Sequence, residues 1–383
     1  MEPIDPLQAV THGDPYPFYA RLRAGPPLAY DASLKLWIAA RAAVLDEVFA
    51  HPAMRVRPAA EPVPAAIAGK PAGDVFARLV RMNDGAGHQP AKRVVEQVLA
   101  AVPAQQVEAS AVRIAAGLLP RADDADALNR WLFEVPVRSV ASLLGFGDAA
   151  LEEIAASTRD FVACLSHLST AAQLAAAHAA ATRLGDSVAR LAEEGGTGIA
   201  AQLRRAAQAQ DWNDAHAITA NLVGLLSQTY EATAGLAGNS LVALSRHPAT
   251  LEFATQTTDG WLRVARETSR FDSPVQNTRR FAAEAVRIAG VDLPAGAPVL
   301  LVLAAANRDP EANPDPDAFD PQRAAPRLYS FSRGAHACPG QELACRIAAA
   351  ALQALHAGAA RPRGETLRWS YRPSANGRLP VFH

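Results

Sequence analysis

Cysteine is scarce in this chain, and so is any imbalance of charge. Three cysteines (Cys164, Cys338, Cys345) in 383 residues make no disulfide framework, which excludes a stapled secreted scaffold and fits a reducing compartment. A formal net charge of −1 and a pI near 6.8 exclude the basic surplus by which nucleic-acid binders meet phosphate. No apolar run reaches the roughly 18 residues a membrane-spanning helix needs. The opening Met1-Glu2-Pro3-Ile4-Asp5-Pro6 has neither the basic nor the apolar region of a signal peptide, so a soluble, cytoplasmic protein is expected. What is abundant is alanine, a strong helix former, within a chain that is 50% hydrophobic and long enough to bury a large core. No repeat or linker divides it. The expectation is one domain over residues 1–383, mainly α with small β-sheets.

The most informative stretch is Phe331-Ser332-Arg333-Gly334-Ala335-His336-Ala337-Cys338-Pro339-Gly340, followed by a helical run from Gln341 to Gly358. Gly334 and Gly340 permit unusual backbone and the close approach of something flat. Cys338 stands at a helix N-terminus, where N–H groups and the macrodipole favour the thiolate. A thiolate presented this way is a soft ligand for a transition metal, haem iron included.

This segment resembles the haem-binding signature of the cytochrome P-450 superfamily, Phe-Gly-x-Gly-x-His/Arg-x-Cys-x-Gly. It matches at Phe331, Gly334, His336, Cys338 and Gly340 and departs at Ser332, where the signature has glycine. The resemblance implies haem b as cofactor, Cys338 as axial ligand, Phe331 beside its sulfur and His336 directed at a propionate. Other motifs follow in the expected order. His88 and Lys92, four apart on one helix face, correspond to a His and basic pair directed at propionates. Glu267-Thr268-Ser269-Arg270 matches Glu-x-x-Arg, with Arg323 in Phe319-Asp320-Pro321-Gln322-Arg323 as its expected bidentate partner. In Pro274 to Phe281, Arg280 is the expected propionate contact, with Arg279 as the alternative. After Cys338, Leu343-Ala344-Cys345-Arg346 replaces the usual Leu-Ala-Arg, on the side where electron donors dock.

Asp214 to Arg246 is the longest periodic segment, and its centre departs most from the family. Glu231 takes the place of the acid in Ala/Gly-Gly-x-acid-Thr-Thr, but Ala232 stands where a threonine is usual, and Gln228 and Thr229 replace small residues. Thr233, about 100° around an ideal helix from Ala232, is expected to face away. Gln228, four residues before Ala232, shares its face and carries an amide donor. The expectation is that Gln228, with Thr229, substitutes for the missing hydroxyl while Glu231 feeds protons.

Elsewhere a short helix is expected to follow Asp14-Pro15-Tyr16-Pro17-Phe18 and to end near Arg23-Ala24-Gly25, with others near Arg41 to Ala50, Pro90 to Val102, Val107 to Leu119, Ala125 to Leu144, Ala149 to Leu168 and Ala171 to Leu191. A hairpin is expected around Asp31-Ala32-Ser33, a loop from Arg57 to Gly73, and a strand from Val299 to Ala304. The substrate pocket is expected to draw on Arg57 to Met82, Phe161 to Leu168, the Gln228 helix, Val275 to Thr278 and Ser374 to Leu379. The function implied is a monooxygenase, of the kind found in secondary metabolism. It would insert one atom of O2 into a small-to-medium hydrophobic metabolite, with electrons from a ferredoxin and its NAD(P)H-dependent reductase, as a monomer without nucleic-acid or membrane partners. Oxidative cyclisation, desaturation or peroxide-driven oxidation, and a haem sensor without turnover, are the alternatives.

Overall fold

In the computed structural model, which describes residues 3–121, 124–166, 168–358 and 367–383, helices dominate and the strands form one five-stranded and two two-stranded sheets. The organising element is the helix Ala215–Arg246, capped by Asp214, whose side chain accepts from Ala217 N at 2.9 Å. Its small residues let neighbours approach closely. A Cβ on Gly235 would lie 2.9 Å from Pro274, and one on Gly238 would lie 2.7 Å from Pro380. The helices Ala125–Leu144, Gly260–Phe271 and Gln341–Ala357 pack along it.

The five-stranded sheet runs in the order Leu28–Asp31, Leu36–Ala39, Pro298–Leu301, Thr278–Ala282, Met54–Arg55. Leu36–Ala39 and Pro298–Leu301 are parallel, and the other pairs are antiparallel. Val286–Ile288 with Val291–Leu293, and Trp369–Tyr371 with Pro380–Phe382, form two small hairpin-like sheets.

Most expected elements are present, with four differences. The expected loop ends early, because Pro71–Arg78 is a helix with proline in its first turn, where a missing N–H is harmless. Gly73 there sits so close to Ile67 that a Cβ would come within 2.1 Å of its carbonyl oxygen. The expected strand from Val299 stops at Leu301, and Leu303–Asn307 turns into a helix once the chain leaves the sheet at Val302. The helix carrying His88 begins at His88 itself, as His88–Ala100. Ala149 to Leu168 is helical only over Leu151–Val162, followed by a 3₁₀ turn at Ala163–Leu165, and residue 167 of this expected pocket segment lies outside the described residues.

Candidate functional site

Beneath the cysteine loop, Glu267 and Arg270 are almost completely buried. Arg270 grips Glu267 in bidentate fashion, Nε to Oε2 at 3.0 Å and Nη2 to Oε1 at 2.7 Å. Its remaining donors reach the carbonyls of Asn307, Pro316 and Ala318, and Asp320 N donates to Glu267 at 2.9 Å. Arg323 differs from expectation. Its Nε stays 3.7 Å from Glu267, while its other nitrogens bind the carbonyls of Pro314 and Asp315, so the bidentate partner is Arg270. Asn307 carries the order onward, since its Oδ1 accepts from Tyr329 N at 2.6 Å and its Nδ2 donates to Ser330 at 2.8 Å.

The loop itself closes through Cys338 N donating to Phe331 O at 2.7 Å. Gly334, at φ +65°, lies against Phe49, and a Cβ there would meet the Phe49 carbonyl at 2.9 Å. Ser332, the departure from the signature, has φ +57°, in the left-handed region that glycine adopts freely. Phe331 packs against the cluster under helix Gln341–Ala357, which Gly340 opens.

Cys338 Sγ is accessible, whereas Cys164 and Cys345 are buried, their thiols pushed up to about 12 by burial. Burial also raises the Cys338 thiol, against the lowering by Gly340 N–H and by Lys92. The expected helix-terminus effect is thus present but outweighed by desolvation.

Around the loop stands a positive cluster. His88 and His336 stack with ring centroids 4.4 Å apart, and Lys92 Nζ donates to the carbonyl of Ala337. Arg280 is buried in strand Thr278–Ala282 and Arg279 is exposed, because alternation across the sheet turns Arg280 inward opposite Val299. Burial pushes the Arg280 guanidinium down to about 10, with Asp84 opposing. Burial, then the charges of His336 and Lys92, push His88 down to about 4. Two carboxylates stand among them: Glu96, 3.3 Å from Lys92 Nζ, and Asp84, 3.0 Å from His336 Nε2 and accepting from Val56 N; the Asp84 carboxyl is the one the histidines share. Burial pushes its carboxyl up, but those hydrogen bonds and the neighbouring charges outweigh it.

This cluster fits the cofactor. His336 Nδ1 is buried without a hydrogen-bond partner among the described residues. Arg280 reaches only the carbonyl of Arg279 at 2.8 Å and two hydroxyls, Thr278 and Ser332, at 3.4 Å. Lys92, Arg280 and the two histidines together offer more donors than Asp84 and Glu96 take up, which matches a group carrying two propionates.

A family model of the cytochrome P-450 proteins matches residues 263–355. Vitamin D(3) 25-hydroxylase of Pseudonocardia autotrophica is 29% identical over 355 residues, 86% of this chain and 83% of that one. The 6-deoxyerythronolide B hydroxylase of Saccharopolyspora erythraea is 28% identical over 357 residues, 90% and 88% of the two chains. The crystal structure of ligand-free CYP164A2 from Mycobacterium smegmatis superposes with a TM-score of 0.74 at 27% identity, covering 98% and 96%. That of CalO2 gives 0.82 at 24% identity, covering 100% and 98%.

The chain belongs to the cytochrome P-450 superfamily. It is therefore a haem-thiolate oxidoreductase of the monooxygenase class, with haem b bound through a cysteine thiolate, and it works with O2, a small-molecule substrate and redox partners. None of the described helices is long and apolar enough to cross a membrane.

On the P-450's long helix, Gln228 does not point its amide freely along the face it shares with Ala232. Gln228 Nε2 donates back to Gly224 O at 3.0 Å, the bond a polar side chain inside a helix makes when no better acceptor is near. Thr229 is half-buried, Thr233 is buried away from that face as expected, and Glu231 is half-exposed with Arg372 at 3.2 Å. Cys345 also differs from expectation. It points into the core, 4.0 Å from Ser269, and takes no part in the donor-facing surface. Reasoning from sequence missed Asp84, which does not belong to the motif positions it followed.

Proposed function

We propose that Cys338 ligates the haem iron and that this P-450 hydroxylates a small-to-medium hydrophobic metabolite. One oxygen atom of O2 enters a C–H bond and the other leaves as water, with two electrons from a ferredoxin and its reductase and two protons from solvent. The carrying observation is the pairing of an accessible Cys338 with the His88, Lys92, Arg280 and His336 cluster, while the other two cysteines are buried as thiols. Bound haem would supply oxygen activation, to which the axial thiolate lends electron density. His88, Lys92, Arg280 and His336 would anchor the propionates, Phe331 would shield the sulfur, and Gly340 would offer its N–H to it. Glu231, held by Arg372, would pass protons inward from solvent, with Thr229 and a water beside it, and Gln228 would take part once it leaves Gly224. The reading includes a cytoplasmic monomer.

A second reading is favoured by one observation: Ala232 offers no hydroxyl and the Gln228 amide is already engaged. An enzyme so built suits peroxide-driven oxidation, desaturation or ring closure. Turnover with a surrogate ferredoxin system and with hydrogen peroxide alone separates the readings. Product only with the electron chain supports hydroxylation fed by ferredoxin, product with peroxide alone supports the second, and a sensor yields none in either. The ligand screen for this assay is loss of the iron-bound water, read as a Soret shift.

A further inference from the structure

Lys92 is buried on the helix His88–Ala100, and most of its three N–H donors are engaged within the protein. One goes to the carbonyl of Ala337 and a second faces Glu96 at 3.3 Å, which leaves one for a propionate. Ala337 C=O and Cys338 N–H belong to the same peptide unit, and Cys338 N donates onward to Phe331 O at 2.7 Å. Lys92, that peptide and Phe331 thus form one hydrogen-bonded chain. It closes the two ends of the loop on each other, and each link polarises the next.

The chain of bonds begins on a cation and ends at the ligand. Among the described residues Lys92 is the one charged side chain that acts on the Cys338 thiol, and it favours the thiolate, as Gly340 N–H does. Its counter-ion is a weak one. Glu96 is half-exposed, so water screens that pair, while the ammonium itself lies in the buried surround of the loop. The other cations of the cluster do not bond this peptide: His336 Nε2 meets Asp84, His88 stacks on His336, and Arg280 reaches Arg279 O, Thr278 and Ser332. The cluster therefore divides, and Lys92 is the member tied to the ligand's own backbone.

We propose that Lys92 is a positioning residue for the axial sulfur: it fixes the peptide that carries Cys338 and sets a positive charge beside the thiolate, so that the sulfur donates less electron density to iron and the first electron is accepted more readily. The inference goes beyond a share in holding a propionate, and it rests on the reading that Cys338 ligates iron. A cation next to the ligand favours the less positive, reduced form of the centre, and a low-dielectric surround strengthens that effect.

The test uses haem-loaded protein, with spectroelectrochemistry for the ferric–ferrous midpoint and resonance Raman for the Fe–S stretch and the propionate bending mode. Lys92→Met keeps an apolar stem and removes the charge. It is expected to shift the reduction equilibrium about tenfold toward ferric iron, a fall of about 59 mV for one electron, and to raise the Fe–S stretch. Lys92→Arg is expected to recover most of both changes. Glu96→Gln leaves Lys92 in place and is expected to move midpoint and stretch the opposite way, by less. A midpoint that falls in Lys92→Met while the Fe–S stretch stays put and only the propionate mode moves overturns the proposal. So does an Fe–S stretch as displaced in Lys92→Arg as in Lys92→Met. Should Lys92→Met fail to load haem, Glu96→Gln decides, and an Fe–S stretch unmoved there overturns the proposal. Failure of the underlying reading looks different: the wild-type protein then shows no Fe–S stretch and no thiolate-type band of the reduced carbon monoxide complex.

Discussion

The two sides of the cavity follow different rules. On the cysteine side the groups beneath the loop answer one another, Glu267 by Arg270 and Asp320 N, Asn307 by Tyr329 and Ser330, Cys338 N by Phe331 O, while Thr268 Oγ1, Arg323 Nε and, beside the loop, His336 Nδ1 keep no hydrogen-bond partner among the described residues. On the long-helix side a polar group is turned back on its own helix, as with Gln228 on Gly224. The cysteine side must hold a fixed cofactor, so its hydrogen bonds close internally and rigidify the loop. The helix side must meet a ligand from outside, and a side chain held only by its own helix can be released to it.

The comparison breaks first at Cys338. Cys338→Ser is expected to abolish the red-displaced band of the reduced carbon monoxide complex and all turnover, and an unchanged spectrum would overturn the site. Next, Glu267→Ala should destabilise the protein by about 3–5 kcal/mol, because it strands the fully buried Arg270. Denaturant unfolding measures this, and the exposed pair Arg113–Asp148 is the control, where Asp148→Ala should shift stability by about 1 kcal/mol or less. A loss at Glu267 no larger than at Asp148 would erase the distinction between the two sides.

On the helix side the effects should fall on chemistry and leave stability nearly intact. Gln228→Ala is expected to lower, and Ala232→Thr to raise, the fraction of NAD(P)H consumed that appears as product, with the double variant non-additive. Unchanged coupling in both singles would remove Gln228 from proton delivery. The smallest effect sharpens the comparison from the cysteine side. Ser332→Gly should stabilise by about 0.5–1 kcal/mol, since glycine adopts φ +57° freely and the lost Arg280 contact, at 3.4 Å, is long. Thermal unfolding with haem spectra reads it, and a fall in Tm would show the Ser332 hydroxyl to matter more than the strain.

Legibility varied with how local the physics was. The helix Ala125–Leu144 lies where its apolar spacing predicts, and the Leu28–Asp31 and Leu36–Ala39 hairpin closes on an Asp31 whose carboxylate accepts from Ser33 and Leu34. Pro71–Arg78 was not legible, because Pro71 and Gly73 look like breakers until a first-turn position and the Ile67 carbonyl explain them. Register in the sequence favoured Arg280 over Arg279, and strand pairing turned Arg280 inward and left Arg279 exposed.

The amino-acid order alone determined the spacing of Phe331, Gly334, His336, Cys338 and Gly340, the run of helices and the absence of a threonine at position 232, because these depend on residue type and short separation. Only the tertiary structure decided that Arg270 rather than Arg323 grips Glu267, that Asp84 joins the histidines, and that Cys345 is buried. Those outcomes depend on which distant segments share a boundary with low dielectric, and charge in a sequence says nothing of its surroundings until the chain has folded around it.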